Sequence, residues 1–230
     1  PRSAAGSDSA PPTTFSDQIF DLEGGAGVAG QLAGIDALGR REHWLLETSE
    51  VSLLPQAVLG RGGFGLVVRG LFCSVPVAVK LVKREHGDAV MRHASALANE
   101  LRILRQLRHP NVVAIYGAVV DHAQQQLGLV LEMVQGRTLT SFMRMEGAAL
   151  EATQPTPEPC SKYQVCLGVC SAFLYLHTRR PCIVHGDLKA ANVLVEGEGE
   201  DACAKLLDFG LARVLTRSAR PLGGTLSWMA

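Results

Sequence analysis

LGRGGFGLVVRGLF, residues 59–72, decides between two folds. Gly60, Gly62 and Gly65 form a G-x-G-x-x-G pattern, which lets a backbone pass close to a bulky anion and aim amides at it. A dinucleotide-binding unit uses the same pattern and wants an acid about 20 residues on, where Glu85 stands. That unit requires its last glycine to open a helix. Here Leu66, Val67 and Val68 follow in a Val-rich run bounded by Gly70, which predicts a strand. The Gly-Lys-Ser/Thr ending of a phosphate-binding P-loop is absent from the sequence. Alone, the pattern is also compatible with a plain Gly-rich hairpin.

Outward from this stretch, the elements sort by period. Residues 51–59 are largely apolar and run into the glycines. VPVAVKLV, residues 75–82, is a short Val-rich run, so three antiparallel strands are expected. In residues 89–107, Ala96, Leu97, Leu101, Leu104 and Leu107 recur at spacings that include 3 and 4, which predicts a helix. NVVAIYGAVV (111–120) and LGLVLEMV (127–134) read as two further strands. A Pro-rich break, QPTPEP, occupies residues 154–159. Residues 161–178 are apolar almost all round, the pattern of a helix buried on most faces. The acidic EGEGED (196–201) reads as a turn between strands NVLVE and AKLLDF.

Residues 1 to about 40 are rich in Pro, Ser, Thr, Ala and Gly, which predicts a flexible leader with one weak helical turn near Phe15–Leu22. Order is expected from Trp44. The chain divides into a low-complexity leader (1–43), a β-rich lobe with a hinge (44–134) and the beginning of a helical lobe (135–230).

Composition narrows the function. The 230 residues carry a formal net charge of zero, which gives no support to a nucleic-acid role. No apolar run reaches the ~20 residues that a membrane span needs. No secretory signal is visible. The six cysteines form no C-x-x-C pair, so reduced thiols in an intracellular protein are expected. Cys166 and Cys170, four apart on the predicted helix, are read as packing residues.

Chemistry concentrates in three further places. Lys80 ends an apolar strand, so its stem is buried and its ammonium needs an anion. Glu100, flanked on its helix by Leu97, Leu101 and Leu104, is the expected partner. HGDLKAANVL, residues 185–194, crowds an acid, a base and an amide together. Asp187 can accept a hydroxyl proton, and Lys189 can neutralise charge on a transferred phosphoryl group. Asn192 and Asp208, the latter in LDFG, supply the oxygen ligands that Mg²⁺ prefers.

These motifs in this order resemble a eukaryotic protein kinase over about residues 50–230. LRHPNVVAIYG and the closing GGTLSWMA look like the tyrosine-kinase-like group of serine/threonine kinases. The resemblance implies an α+β, bilobal kinase-like fold with a complete β-rich lobe and only the start of the helical lobe. It implies ATP between the lobes, Mg²⁺, a protein substrate and a cytoplasmic setting, and it leaves room for an upstream receptor or adaptor. A kinase-fold scaffold that binds nucleotide without transfer is the alternative.

By the same resemblance, Gly60, Arg61, Gly62, Gly63, Phe64 and Gly65 cover the phosphates. Lys80 binds the α- and β-phosphates and pairs with Glu100. Adenine sits against Leu59, Val67, Ala78 and Leu194, with its polar edge at the backbone of Glu132 and Val134, just after Leu131. Asp187 orients the acceptor hydroxyl, and Asn192 and Asp208 hold the metal. Leu104, Ile115, His185 and Phe209 stack through both lobes. Phe209, Gly210, Thr216, Ser218, Thr225 and Ser227 belong to the activation segment. Lys189 and Thr225 favour serine/threonine acceptors.

Two departures from the family pattern matter. Gly186 stands where many kinases carry an Arg that clamps a phosphate on the activation segment, so less dependence on that phosphorylation is expected. The sequence also ends at WMA, where relatives continue with more helices. A fragment of low stability and little activity is therefore expected, with an apolar face of the 161–178 helix uncovered.

Overall fold

The computed structural model describes residues 28–62, 65–82, 88–123, 126–144 and 159–215. Five strands form one antiparallel sheet: β1 (Val51–Gly62), β2 (Gly65–Phe72), β3 (Val75–Val82), β4 (Ile115–Asp121) and β5 (Gln126–Glu132). Their spatial order is β1-β2-β3-β5-β4. Gly62 pairs with Gly65 across the glycine-rich turn, and pairing runs on to Val51 opposite Phe72. Gly65 thus opens a strand, not a helix, which removes the dinucleotide-binding alternative.

Helix α1 (Val28–Arg41) precedes the sheet and helix α2 (Asp88–Leu104) crosses between β3 and β4. The 97, 101, 104 spacing does what it predicts: Leu97, Leu101 and Leu104 are buried in one core cluster with Ile115, Leu129 and Leu131. Leu107 lies past the last helical residue yet stays in that core, because Leu107 N–H bonds back to the Leu104 carbonyl. The expected strand at 111–120 begins only at Ile115. Before it, Val113 and Leu206 N–H donate to Leu206 and Asn111 carbonyls, tying the segment to the other part of the molecule.

Beyond β5 come β6 (Arg137–Thr138), α3 (Leu139–Arg144), α4 (Pro159–Thr178), β7 (Ile183–Val184), β8 (Val193–Glu196), β9 (Cys203–Leu206) and β10 (Arg213–Val214). β6, β8 and β9 form a small sheet, and β10 pairs with β7. The two strands expected around the acidic turn are β8 and β9, paired from Val193–Leu206 to Glu196–Cys203.

Three expectations need correction. Residues 28–41, read as part of a flexible leader, form α1, whose Leu32, Ile35 and Leu38 are buried in the main core. Helix α4 is not buried on most faces. It buries one stripe, Ser161, Val165, Ala172 and Leu176, while Tyr163, Leu167 and Leu174 are exposed, so the uncovered apolar face is present. Cys166 and Cys170 lie outside the buried stripe and are exposed, not packed. The helical turn expected at Phe15–Leu22 and the Pro-rich break at 154–159 are largely or wholly outside the described residues. No helix among the described residues is long and apolar enough to cross a membrane.

Candidate active site

Lys80 owes its position to strand register. Residues opposite one another in antiparallel strands share a face, and the face alternates along each strand. Val67 faces Lys80, Ala78 faces Leu131, and Lys80 faces Leu129. Val67, Ala78, Lys80 and Leu131 therefore share one face of the sheet. Leu59, by contrast, is exposed on β1 and Leu194 half-buried on β8.

The Lys80 ammonium lies 2.6 Å from Glu100 Oε2 and 2.8 Å from Asp208 Oδ1. Glu100 uses its other oxygen to accept the Phe209 N–H at 3.3 Å. One cation thus sits between two carboxylates, with Glu100 almost fully buried. Burial alone would push the Lys80 ammonium toward its neutral form. The Glu100 and Asp208 charges outweigh that and hold its pKa above the usual range. Burial, reinforced by the Asp208 charge, pushes the Glu100 carboxyl up, against the pull of Lys80. The cluster carries a net negative charge, a setting that favours an added cation at Asp208.

Asp187, Lys189 and Asn192 form a second cluster. Lys189 Nζ lies 2.6 Å from Asp187 Oδ2. Asn192 Nδ2 donates to the Asp187 carbonyl at 2.9 Å and to its carboxylate at 3.0 Å. With the amide nitrogen committed to Asp187, the Asn192 oxygen is the atom left to serve a cation. A single-turn 3₁₀ helix, Ala190–Asn192, makes this approach possible by folding Asn192 back toward the loop.

His185 supports Asp187 from behind. Its Nδ1 accepts the Asp187 N–H at 3.3 Å, while Nε2 faces the Leu207 carbonyl at 2.8 Å. One acceptor and one donor role define the neutral ring protonated at Nε2. Burial holds its pKa below the usual histidine value, in agreement with that form. The ring packs edge-on against Phe209, centroids 4.7 Å apart. Leu104, Ile115, His185 and Phe209 are all buried.

At the hinge, Glu132 N–H is spent on the Ala114 carbonyl at 2.9 Å. The Glu132 carboxylate meets Lys205 at 2.6 Å, in contact though not aligned for a hydrogen bond. At Gly60 a β-carbon would meet no protein atom within 4 Å, so the space over this glycine is open to a ligand. Gly63, Phe64, Thr216, Ser218, Thr225 and Ser227 lie outside the described residues. Sequence reasoning missed Asn99, which bonds to backbone after Asp208. Its partners are carbonyls, and no side-chain pattern advertises them.

Lys80 thus lies between two carboxylates on the sheet that carries the glycine-rich hairpin, and Asp187, Lys189 and Asn192 cluster in one loop, residue types on which phosphoryl-transfer domains rely. The chain belongs to the protein kinase family: the protein kinase domain model matches residues 55–230. Over 189 residues it is 31% identical to the probable serine/threonine-protein kinase drkD of Dictyostelium discoideum, covering 82% of this chain and 13% of that protein. Identity to the serine/threonine-protein kinase pelle of Drosophila melanogaster is 30% over 210 residues, covering 87% and 40%. The megakaryocyte-associated tyrosine-protein kinase of Rattus norvegicus is 34% identical over 174 residues, covering 76% and 32%. The chain spans less than half the length of each of these curated relatives. The resemblance read from the sequence is borne out for the family and for the β-rich lobe with few helices. A protein kinase domain implies ATP as the phosphoryl donor.

Proposed function

We propose that this protein transfers the γ-phosphoryl group of ATP to serine and threonine hydroxyls of protein substrates, with Mg²⁺ as the cation. The observation that carries this reading is the pair of clusters just described. Lys80 is aligned by Glu100 at 2.6 Å, and Asp187 is fixed by Lys189 and Asn192.

The donor set fits the cation. Asn192 and Asp208 supply only two side-chain oxygens, which suits Mg²⁺, an ion that keeps waters and phosphate oxygens as its remaining ligands. When bound, the ion neutralises charge on the phosphates. The chain's own residues do the rest. Lys80 binds the α- and β-phosphates, and the amides of residues 60–65 cover them. Leu59, Val67, Ala78 and Leu194 enclose the adenine, with Glu132 and Val134 backbone at its edge. Asp187 orients the acceptor hydroxyl and takes its proton, and Lys189 offsets charge on the moving group. Positioning and charge supply most of the acceleration.

Residues 28–134, helix α1 included, then form the nucleotide-side lobe with its hinge, and 135–230 the beginning of the substrate-side lobe. The setting is cytoplasmic signalling, downstream of a receptor or adaptor. Gly186 cannot clamp a phosphate, so activity depends little on phosphorylation of the activation segment.

The test is transfer of labelled phosphate from ATP to a generic basic protein by the full-length protein and its Asp187→Asn variant, followed by phospho-amino-acid analysis. Transfer to serine and threonine that vanishes in the variant supports the reading. ATP binding without transfer by the wild type points to a nucleotide-binding scaffold, and phosphotyrosine would overturn the acceptor assignment.

A further inference from the structure

Asn99 and Glu100 are neighbours on α2, so their side chains leave the helix about 100° apart. Glu100 reaches Lys80 and the Phe209 N–H. Asn99 reaches the next stretch of the same strand of chain: its Nδ2 donates to the Gly210 carbonyl at 3.2 Å and to the Ala212 carbonyl at 2.8 Å. Arg102 donates to Asn99 Oδ1 at 2.7 Å. That last bond settles which way the amide points, because a flipped amide would set oxygen against two carbonyls and nitrogen against a guanidinium.

The carbonyls of 210, 211 and 212 divide between two partners. Those of Gly210 and Ala212 accept from Asn99. That of Leu211 lies against Gly186, close enough that a β-carbon on Gly186 would come within 2.4 Å of it. A turn bond from Ala212 N–H to the Phe209 carbonyl at 3.0 Å closes the segment. The chain after Asp208 is thereby held from one side by α2 and from the other by the catalytic loop.

We infer that Asn99 is a positioning residue: it ties residues 210–212 to the helix that carries Glu100, so that the orientation of Asp208 and the alignment of Lys80 are set together. It touches neither nucleotide nor acceptor and acts through backbone. The link is built into the unmodified chain and needs no phosphate. It gives a molecule with glycine at 186 its own means of holding the start of the activation segment. The kinetic part of this inference rests on the kinase reading above; the structural part does not.

Two readouts on the full-length protein test it, with Asn99→Asp, Asn99→Ala and Asn99→Gln variants. The first is amide hydrogen exchange without nucleotide, comparing residues 209–214 with the β3–β5 core. Losing two hydrogen bonds should speed exchange at 209–214 about tenfold in Asn99→Asp and Asn99→Ala, with the core unchanged, while Asn99→Gln, which keeps the donor, stays close to wild type. The second is phosphoryl transfer: kcat should fall about tenfold in Asn99→Asp with KM for ATP changing by less than about threefold, and Asn99→Gln should recover most of it. Unchanged exchange at 209–214 in Asn99→Asp, or equal behaviour of the Ala and Gln variants, overturns the inference. A wild type without transfer removes the kinase reading but leaves the exchange comparison decisive.

Discussion

Gly186 and Leu211 are in contact through their backbones: a β-carbon on Gly186 would stand 2.4 Å from the Leu211 carbonyl oxygen. Gly186 also has φ +78°, where side chains are rarely found. The glycine is therefore required by its neighbour as well as by its own backbone. Replacing it with arginine does not simply restore a phosphate clamp. Gly186→Arg and Gly186→Ala should each destabilise the protein by about 1–3 kcal/mol, the size of local backbone strain. Urea denaturation of both variants measures this. The same pair should lose activity whatever the phosphorylation state of the activation segment, whereas the wild type should retain most of its activity after phosphatase treatment.

Lys80 and Glu100 make a second prediction, about asymmetry. Removing one partner of a buried ion pair leaves an uncompensated charge and costs about 3–5 kcal/mol, while replacing both with apolar groups is close to neutral. Lys80→Met alone also leaves Glu100 and Asp208 to repel one another without their shared cation. It should therefore be strongly destabilising. The double variant Lys80→Met/Glu100→Leu should recover most of that stability and none of the phosphoryl transfer. Denaturation of the two single variants and the double variant gives the coupling energy. Additive losses would mean that the pair does not act as a unit.

Acid should destabilise the fold chiefly through one buried imidazole, that of His185. Burial lowers the pKa of His185 below 6.5, and burial with the Lys205 charge does the same for His109. A base whose folded pKa is depressed takes up its proton first in the unfolded chain. Its stability is complete above pH 6.5 and is lost as the pH falls from there toward the folded value. Between its unfolded and folded pKa values the buried His185 contributes a slope approaching about 1.4 kcal/mol per pH unit, and the solvent-screened His109 adds a smaller part. Glu100, held up by burial, works in the opposite sense from pH 4.5 upward, adding stability as the pH falls through its raised folded value. His185→Phe keeps the ring against Phe209 and removes one titrating group, so its stability should fall less steeply than wild type between pH 6.5 and 5. Parallel curves would show that His185 does not titrate on unfolding.

What the sequence made legible follows from how each feature is written in it. Asp187, Lys189 and Asn192 fall within six residues, so their meeting is a local matter of one loop. Lys80 and Glu100 are 20 residues apart, yet a strand ending in lysine and a helix with an acid on its apolar side each announce an unmet need. Asn99 was silent because its acceptors are main-chain carbonyls more than 100 residues away. Cys166 and Cys170 misled because α4 is apolar around its circumference, so periodicity did not say which stripe is buried. Helix α1 was hidden by composition: VAGQLAGIDALGRR is so rich in Gly and Ala that it reads as low complexity. Its apolar residues Leu32, Ile35 and Leu38 still recur every three residues, and that was the available signal.

Helix α1 therefore carries the last prediction. Its Leu32, Ile35 and Leu38 lie in the same buried cluster as Trp44, Leu101, Leu104 and Ile115. Trp44 is further fixed by bonds that run both ways between main chains: Ala118 N–H donates to its carbonyl at 3.0 Å, and Leu46 N–H donates to the Ala118 carbonyl at 2.8 Å. The segment before the sheet is thus part of the core that holds α2, not an appendage to it. Ile35→Ala and Leu38→Ala should each cost about 2–4 kcal/mol, the range for truncating a buried aliphatic side chain. Val75→Ala, at a side chain 52% exposed on the edge of the β2–β3 turn, should stay within about 0.5 kcal/mol. Because α1 packs on β4, in the same core as the helix that presents Glu100, the two core variants should also lower kcat before they unfold the protein, and a saturating nucleotide should restore part of the lost stability. Core variants as mild as Val75→Ala would mean that α1 contributes little to the fold, however deeply its side chains are placed.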